Sequence, residues 1–403
     1  MNKEMNNYQY HIYPSMKCSL SCQHCFIDKS LINSKETMTE DQFKIVADKF
    51  SSHFKDAEAQ FAEITIIGGE PTLIPSDFYH EVIPYLRQRF EETGKGFMVS
   101  IVTNLLHLPN LERMRDLFDL VVTSYEPARF TPANMVASID RKKETWEKNL
   151  NIYLESGKPL SISLATTQDV IDAGTDLLDK FLDKGIKFIQ LNTIVPEGKI
   201  IENEFGNEFY ESHVSVRTDD LSIPLRNRRK IVIENAKIIP DFKSESEYLI
   251  AVTEWLYAKR MSGIDVNVYP VNSFISGVVN NHEIDDISCC INKGMNVRFD
   301  GAVTGCASEI GSKNMLSYGN IYKDNVQDIA NSEAKEMHSS MGSRLDKECR
   351  KCEFLNNCYG SCMLRARFWN AKGDKANCHG LKPFMEYIRT HQKRLMVLLN
   401  DEH

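Results

Sequence analysis

Three cysteines stand within eight residues near the start of the chain, in the stretch KCSLSCQHCF. Cys18, Cys22 and Cys25 follow the spacing C-x3-C-x2-C. Three thiolates at this spacing can wrap around one face of a cubane iron–sulfur cluster. A tetrahedral zinc ion would need a fourth ligand, and His24 is the residue available between two of the cysteines. The stretch therefore predicts a bound metal centre, with a zinc knuckle as the alternative to an iron–sulfur cluster.

The other eight cysteines lie together in the last third of the chain, and none falls between residues 25 and 289. From residue 349 their spacing is C-x2-C-x5-C-x3-C, and a further cysteine follows at 378. Clustered cysteines in a reducing compartment more often bind metal or act in catalysis than form disulfides. The candidate ligands of this second, cysteine-rich module are Cys289, Cys290, Cys306, Cys349, Cys352, Cys358, Cys362 and Cys378.

The composition is that of a globular protein with an acidic balance. Hydrophobic residues make up 42% of the 403 residues, charged residues make up 26%, and the net charge is −8. This charge favours neither nucleic acid nor an anionic membrane surface as a partner. No apolar run is long enough to cross a bilayer, and the N-terminus has no apolar signal core. We therefore expect a cytoplasmic protein without a nucleic-acid or membrane partner.

The cysteine-free body alternates between strand and helix patterns. The strand candidates are short apolar runs rich in β-branched residues, at 10–14, 63–69, 96–104, 120–125, 160–167 and 186–193. Helical patterns lie at 39–54, 77–92, 142–156 and 170–184. This alternation predicts an α/β fold of βα units in a parallel sheet or barrel, in which ligands bind at the carboxyl ends of the strands.

A glycine pair with a glutamate and a proline follows the second of these strands. Gly68 and Gly69 let the backbone approach a ligand closely, and Glu70 adds a carboxylate before Pro71. Alone, this motif could be an ordinary turn. Together with the cysteine spacing one strand earlier, it is highly specific. The chain resembles radical S-adenosylmethionine (SAM) enzymes, which carry CxxxCxxC, then an aromatic residue, here Phe26, and later GGEP.

The resemblance implies a partial (β/α)6 barrel and a SAM-binding [4Fe-4S] cluster held by Cys18, Cys22 and Cys25. SAM would occupy the fourth iron, with its ammonium group on the GGEP segment. Its reductive cleavage would give a 5′-deoxyadenosyl radical that abstracts a substrate hydrogen. A small electron donor such as flavodoxin or ferredoxin would reduce the cluster. Further SAM contacts that the resemblance suggests, each alternatively an ordinary polar strand end or surface arginine, are Thr103, Asn104, Ser124 and Arg141.

The C-terminal cysteines, with Gly301 between two of them, resemble the seven-cysteine SPASM arrangement of peptide-modifying radical SAM enzymes. A zinc ribbon is the alternative. The resemblance implies two auxiliary [4Fe-4S] clusters, which makes three in all. The implied ligands are Cys349, Cys352, Cys358 and Cys378 for the distal cluster, and Cys290, Cys306 and Cys362 for the one nearer the barrel. The fourth ligand of the nearer cluster stays open, because adjacent residues such as Cys289 and Cys290 seldom reach two corners of one cubane without strain.

The expected substrate is a polypeptide, as for most SPASM enzymes, and the layout is close to that of sulfatase-maturing enzymes. Those enzymes carry an Asp directly after the cysteine that matches Cys306, whereas this chain has Ala307, which cannot act as a base. This favours a different two-electron oxidation, namely a carbon–carbon or thioether cross-link within a ribosomally made precursor peptide. Formylglycine formation from Cys or Ser is the alternative. Glu309 is a candidate catalytic base, or else a solvated surface glutamate.

The chain is expected to divide into a barrel at 1–270 and a SPASM domain with a final helix at 271–403. Because 17 residues precede Cys18, we expect no separate N-terminal peptide-binding domain. An insertion at about 199–243 is too long for a usual βα loop. Its stretch RRKIVIENAKII is a plausible edge strand that could receive a peptide by β-addition, with nearby arginines to meet acidic leader residues. The alternative is a surface loop that binds no partner.

Two interpretations outside enzymes remain. An iron–sulfur electron carrier would explain the cysteines, but it needs no SAM site and therefore leaves GGEP unexplained. A zinc-binding scaffold would contain no iron or labile sulfide.

Overall fold

The strands of the computed structural model form one sheet. The residues that the structure describes are 7–20, 22–130, 136–195, 198, 200, 238–284, 290–313, 315–342, 349–362, 364–365, 378 and 381–399. The strands among them are β1 (Asn7–Tyr13), β2 (Phe61–Ile66), β3 (Gly96–Thr103), β4 (Leu120–Ser124), β5 (Leu160–Ala165), β6 (Phe188–Asn192), β7 (Asn267–Tyr269), β8 (Gly294–Arg298), β9 (Ala302–Thr304) and β10 (Gly319–Asn320). Their order in the sheet is β10-β9-β8-β1-β2-β3-β4-β5-β6-β7.

Strands β1 to β7 are parallel neighbours in chain order, as βα units require. The predicted α/β class and the partial barrel are confirmed. The sheet extends beyond the barrel at the β1 edge, where β8 pairs with β1 in parallel and β9 and β10 follow in antiparallel. The C-terminal module therefore shares a sheet with the barrel. The division at residue 270 stays a prediction.

The α-helices lie between and after the strands. In the described part of the chain they are α1 (Lys29–Ile32), α2 (Glu40–Asp56), α3 (Ser76–Glu91), α4 (Leu108–Met114), α5 (Val136–Glu155), α6 (Gln168–Ala173), α7 (Asp176–Leu182), α8 (Phe242–Met261), α9 (Val271–Asn280), α10 (Val326–Ala330), α11 (Glu333–Gly342), α12 (Leu355–Cys358) and α13 (Lys382–Leu395). The single helix predicted at 170–184 is wrong, because Gly174, at φ +61°, separates α6 from α7. No helix among the described residues is long and apolar enough to span a membrane.

One face of the sheet packs on the helices and forms the core. Alternate residues of β1 and β2, such as Tyr10 and Ile64, are fully buried there. Tyr10 packs on Phe50 of α2 with ring centroids 4.7 Å apart, and Phe54 of α2 stacks on Phe90 of α3. Helix α2 begins where the sequence predicts, because the Thr39 side chain caps it by accepting a hydrogen bond from the backbone of Gln42. The opposite face of the sheet is therefore left to line the barrel interior.

The interior face of the sheet is polar. Thr65 on β2 and Ser100 on β3 are paired residues whose hydroxyl oxygens lie 3.0 Å apart. Asn192 on β6 donates to the Ser163 hydroxyl on β5 at 2.7 Å. Such side chains are suited to contacting a polar ligand rather than to forming an apolar core.

The predicted insertion at 199–243 is described only at its two ends. Its predicted edge strand at 228–239 and the arginines at 226, 228 and 229 lie outside the described residues, apart from residues 238 and 239, which form a bend and not a strand. At its start, the backbone N–H of Ile200 donates to the Cys25 carbonyl at 3.1 Å. A Cβ added to Gly198, at φ +59°, would lie 1.9 Å from the Phe26 carbonyl oxygen. The insertion therefore departs directly from the first cysteine loop.

Candidate functional site

The first cysteine loop follows the carboxyl end of β1. Its three thiols, Cys18, Cys22 and Cys25, are half-buried and are not part of disulfides. Backbone N–H groups face two of the sulfurs: Leu20 donates to Cys18 at 3.4 Å, and Ile27 donates to Cys25 at 3.5 Å. Hydrogen bonds to sulfur stabilise thiolates in iron–sulfur sites.

The three thiols of this loop are electrostatic neighbours. Burial raises the pKa of Cys18 to about 12, the Leu20 N–H opposes this, and the charges of Glu70, Cys22 and Cys25 raise the pKa further. A thiol in this setting stays protonated at neutral pH unless a cationic centre stabilises its thiolate. The donor set and its environment therefore fit a cationic metal cluster.

The glycine pair packs against the chain that leads into the loop. A Cβ added to Gly69 would lie 2.2 Å from the Met16 carbonyl oxygen and 2.3 Å from that of Lys17. A Cβ added to Gly68, at φ +154°, would lie 2.2 Å from the Ser15 carbonyl oxygen. The sequence predicted a close approach of these glycines to a ligand. In the structure they make a close approach to the protein backbone, which fixes the cysteine loop against the end of β2.

The Glu70 carboxylate is buried and accepts hydrogen bonds from the protein itself. Thr72 donates its backbone N–H at 3.0 Å and its hydroxyl at 2.5 Å to one oxygen, and the Thr103 hydroxyl donates to the same oxygen at 2.8 Å. The backbone N–H of Asn104 donates to the other oxygen at 2.6 Å. The Glu70 N–H donates to the Lys17 carbonyl at 2.8 Å. Glu70 therefore joins the cysteine loop, the GGEP segment and the end of β3.

Side chains from later elements reach the cysteine loop. The Asn104 amide donates to the Ser19 hydroxyl at 3.3 Å and lies 3.9 Å from the Cys18 sulfur. The ammonium group of Lys142 on α5 donates to the Ser19 carbonyl at 3.1 Å. Arg141, which the sequence proposed as a SAM contact, is exposed. Its neighbour Lys142 is the basic residue that contacts the loop.

Sequence reasoning did not single out a buried acid–base cluster beside the loop. The residues Glu126 and Arg129 of this cluster follow Ser124, the half-buried last residue of β4. Glu126 is 1% exposed, and its Oε2 atom lies 2.7 Å from Arg129 Nε and 3.1 Å from His24 Nε2. Burial favours the neutral acid, but Arg129 and His24 outweigh it and lower the pKa of Glu126 to about 2.

Arg129 carries positive charge toward the cysteine loop. Burial opposes that charge, whereas Glu126, Cys22 and Cys18 raise the pKa of Arg129. Glu126 pairs with Nε2 of His24, and among the described residues Nδ1 of this buried ring has no hydrogen-bond partner. The sequence signal for this cluster is the stretch SYEPARF, which puts an acid and an arginine directly after a predicted strand.

Three of the four predicted distal ligands, Cys349, Cys352 and Cys378, lie within electrostatic reach of the fourth, Cys358. Burial raises the pKa of Cys358 to about 12, the Gly360 N–H opposes this, and the charges of Cys378, Cys349 and Cys352 act in the same direction as burial. The Cys352 N–H donates to the Cys349 carbonyl at 3.0 Å, which closes a tight turn between these two thiols.

The predicted ligands of the auxiliary cluster nearer the barrel are described only in part. Burial raises the pKa of Cys362, and the charge of Cys306 raises it further, so these two thiols are neighbours. The side chain of Cys290 and the whole of Cys289 lie outside the described residues. Their part in the nearer site stays a prediction.

The loop after Cys306 packs on the barrel mouth. The Tyr13 hydroxyl, on the last residue of β1, donates to the Ala307 carbonyl at 3.2 Å. Behind the first cysteine loop, the Asp28 N–H donates to the Gly311 carbonyl at 2.9 Å. The nearer auxiliary site and the first cysteine loop therefore stand at the same end of the barrel.

No three His, Cys, Asp or Glu side chains in the described part of the chain converge closely enough to hold one metal ion. A zinc ion holds every thiolate at about 2.3 Å from one centre. A cubane cluster distributes its thiolates over separate irons.

Glu309, the candidate base, is 1% exposed. Its Oε2 atom lies 3.3 Å from Nε2 of His338, and Nδ1 of His338 lies 2.6 Å from the Tyr318 hydroxyl. The solvated surface glutamate considered as the alternative does not occur. A catalytic role for Glu309 stays a prediction, and its carboxylate faces a buried histidine.

The chain matches one family model and several solved structures. Residues 289–353 match the SPASM family, an iron–sulfur cluster-binding domain. No curated protein matches the chain by sequence. Polyhistidine-tagged anSMEcpe with bound AdoMet is similar at a TM-score of 0.66 and 17% identity, over 98% of this chain and 96% of that one. Native anSMEcpe with bound AdoMet and Cp18Cys peptide gives 0.65 and 17%, over 98% and 100%.

A third solved structure is the Streptococcus suis protein SuiB bound to precursor peptide SuiA, at a TM-score of 0.57 and 15% identity, over 89% of this chain and 72% of that one. At these identities the likeness is one of fold. The family match itself contains five of the eight C-terminal cysteines. The chain therefore has the fold of anSMEcpe and SuiB, and its residues 289–353 match the SPASM iron–sulfur cluster-binding domain.

Proposed function

We propose that this chain is a radical SAM enzyme that oxidises a ribosomally made precursor peptide by two electrons and forms a cross-link within it. The observation that carries the proposal is the joining of three neighbouring thiols to the GGEP segment through Glu70 and the glycine pair. An electron carrier or a zinc scaffold has no use for such a segment. The SPASM match and the folds of anSMEcpe, with its bound AdoMet and peptide, and of SuiB, with its precursor peptide, support the peptide substrate.

The cofactors of this proposal are SAM and three [4Fe-4S] clusters. Cys18, Cys22 and Cys25 would hold the SAM-binding cluster. The auxiliary clusters would be held by Cys349, Cys352, Cys358 and Cys378, and by Cys306 and Cys362 with Cys290. When bound, SAM and the SAM-binding cluster would supply the radical that removes a hydrogen atom from the substrate.

The residues of the chain orient this chemistry. The GGEP segment would hold the SAM ammonium through groups other than the Glu70 carboxylate, whose two oxygens already accept hydrogen bonds from Thr103 and Asn104. Arg129 and Lys142 supply positive charge beside the loop, where an anionic carboxylate group of SAM would bind. The polar interior face of the sheet holds the substrate, and burial in the barrel excludes water from a reactive radical.

We assign peptide binding to the insertion at 199–243, and the support for this role is the backbone N–H of Ile200, at its start, which donates to the Cys25 carbonyl. A deletion of 205–238 tests this role, with full-length protein as the control. We expect the deletion variant to keep its iron and to lose affinity for the peptide. Unchanged affinity in a folded deletion variant would rule the role out. A flavodoxin or ferredoxin serves as the electron donor in this proposal.

Formylglycine formation on a sulfatase is the second candidate function. The fold of anSMEcpe favours it, and the residue after Cys306 does not, because Ala307 offers only its carbonyl, which accepts a hydrogen bond from Tyr13. A sulfatase-derived peptide that gains an aldehyde would identify this activity.

The test of the proposed chemistry is anaerobic reconstitution followed by reduction in the presence of SAM. We expect bound iron and labile sulfide, and release of 5′-deoxyadenosine. A triple variant with Cys18, Cys22 and Cys25 changed to Ala should keep the auxiliary iron, lose about a third of the total and release no 5′-deoxyadenosine. Equal nucleoside release by the triple variant would contradict the assignment.

A further inference from the structure

His11 lies on the interior face of β1, in a ring of polar side chains below the cysteine loop. Its register partners are Thr65 on β2 and Asn296 on β8, so all three side chains point to the same face. Its neighbours along β1, Ile12 and Tyr10, are fully buried on the opposite, helix-packed face. His11 itself is half-buried.

The hydrogen bonds around Asn296 fix the tautomer of His11. The Asn296 amide donates through Nδ2 to the Thr304 carbonyl at 3.1 Å, which orients its Oδ1 atom toward His11. That oxygen lies 2.7 Å from Nδ1 of His11 and can only accept. The Nδ1 atom of His11 therefore carries the hydrogen, and Nε2 carries the lone pair.

The Nε2 atom is available as a proton acceptor. Within the part of the chain that the structure describes, His11 makes no other hydrogen bond than the one to Asn296. Burial lowers the pKa of His11, and the Asn296 hydrogen bond opposes this only in part, so the ring is uncharged at neutral pH. The charged residues on the flanking strands, Glu63 and Arg298, stand opposite the neighbouring positions of β1 and not opposite His11.

His11 is also close along β1 to Tyr13, which contacts Ala307, a residue without a basic side chain. Tyr13, two residues further along β1 on the same face, contacts the Ala307 carbonyl. Ala307 cannot accept a proton through its side chain. The interior face of β1 thus holds an uncharged imidazole whose Nε2 has no partner among the described residues, on the same face as Tyr13, which contacts the Ala307 carbonyl.

We propose that Nε2 of His11 accepts the proton that the peptide substrate loses during its oxidation. The inference rests on the proposed function. Formation of one bond between two substrate atoms removes two bonds to hydrogen. One hydrogen leaves as an atom to the 5′-deoxyadenosyl radical. The other leaves as a proton to His11 and an electron to an iron–sulfur cluster of the SPASM domain, and the imidazolium then returns its proton to solvent.

The first test is independent of turnover and uses diethyl pyrocarbonate, which reacts with neutral imidazole nitrogens that are open to solvent. Trypsin should release residues 4–17, which contain His11 as their single histidine. In the cluster-loaded enzyme we expect His11 to be carbethoxylated, as exposed His80 should be, while His53, bound to Tyr10 in the core, stays unmodified. An unreactive His11 would overturn the proposal, because Nε2 would then not be open to the interior.

The second test measures coupling between SAM cleavage and peptide product. His11→Asn keeps a short side chain that can hydrogen-bond to Asn296, and it removes the basic nitrogen. With a candidate precursor peptide, we expect the variant to keep its iron content and to continue to release 5′-deoxyadenosine. The amount of peptide product per 5′-deoxyadenosine released should fall about 100-fold. His53→Asn is the matched control and should keep the wild-type ratio. An unchanged ratio in His11→Asn would overturn the proposal.

The two tests separate failure of this inference from failure of the proposed function. A wild-type enzyme that cleaves SAM but leaves the peptide unchanged contradicts the function, and with it the role of His11. A wild-type enzyme that makes the product with unreactive His11, or with full coupling in His11→Asn, contradicts the inference alone.

Discussion

Gly69 shows at the scale of a residue why the GGEP motif and the cysteine loop belong together. The carbonyl oxygens of Met16 and Lys17 occupy the space that any side chain at position 69 would need. These carbonyls belong to the turn that carries the chain from β1 into Cys18. Any side chain at position 69 therefore displaces the loop that carries the thiols.

Gly69→Ala should reduce cluster loading more than it reduces the stability of the protein as a whole. The added methyl would displace the cysteine loop, while most of the core stays as it is. We expect iron bound by the first loop to fall at least several-fold, measured as SAM-dependent nucleoside release and as iron per protein. Gly94→Ala is the control, since Gly94 has open space around it and only its φ of +71° opposes a side chain, at a cost of about 1 kcal/mol. Equal loading of the two variants would contradict this account.

The sequence predicts site residues where spacing along the chain carries the information. Cys18, Cys22 and Cys25 are such residues, and so are the four distal cysteines, because each set lies within or near one loop. The sequence did not predict a site role for Glu126 or His11, because the role of each depends on contacts with residues that are distant in the chain. His11 depends on Asn296, which is paired with it across two strands 285 positions apart. No local pattern encodes that pairing.

At the scale of elements, α2 joins the barrel to the C-terminal module. Its Lys49 ammonium donates to the carbonyls of Ile321 and Asp324, both at 2.6 Å, just before α10. His53, also on α2, lies within the electrostatic reach of Lys335 on α11. Helix patterns in the sequence predicted α2, but they did not indicate which later helices it would contact.

The stability of this junction should fall in weak acid. Burial first, and then Lys335, lower the pKa of His53 to about 4, from about 6.5 in an unfolded chain. The folded state therefore binds fewer protons than the unfolded state between these values, and its stability is complete above pH 6.5 and falls as the pH decreases toward 4. Between pH 7 and pH 5 we expect a loss of about 2 kcal/mol from His53 alone.

Urea unfolding at both pH values measures this loss. His53→Gln can still hydrogen-bond to Tyr10 but does not titrate, so it should show a smaller decrease than the wild type. The difference between the two proteins isolates His53 from the carboxylates, which also titrate in acid. Equal decreases in both proteins would show that His53 does not titrate as this account requires.

At the scale of the whole molecule, one sheet and one buried ion pair tie the C-terminal module to the barrel. Strand β8 pairs with β1 through five residue pairs, from Gln9 with Gly294 to Tyr13 with Arg298. On the other side, Arg365, three residues after Cys362, forms a buried ion pair with Glu245 of α8. The same carboxylate accepts the Thr193 hydroxyl just past β6 at 2.9 Å. Both connections hold the C-terminal module against the barrel.

Arg365→Met should therefore destabilise the protein strongly. It leaves Glu245 as an uncompensated buried charge, which costs about 3–5 kcal/mol. Arg394→Met is the matched control, because its pair with Glu254 is more exposed and contributes at most about 1 kcal/mol. Thermal unfolding of both cluster-loaded variants, followed by circular dichroism, compares the two. Similar midpoints would contradict the role of the buried pair as a link between the two parts of the chain.

The alternation of strands and helices predicted the parallel sheet, because that pattern repeats locally along the chain. The connection between β8 and β1 could not be predicted in this way, since the two strands are separated by the entire barrel. The spacing of the SPASM cysteines indicated a separate module. The shared sheet makes that module an extension of the barrel wall.

The intact mass of a candidate precursor peptide after anaerobic co-expression tests the central claim most directly. The candidate peptides are the products of any short open reading frames found beside the gene, and the control is the same co-expression with the Cys18, Cys22 and Cys25 triple variant. We predict the loss of two hydrogens only with the wild type, and tandem spectra that lack fragments between the two joined residues. An unchanged mass, from cells in which the enzyme carries its iron and cleaves SAM, would contradict a cross-linking peptide maturase.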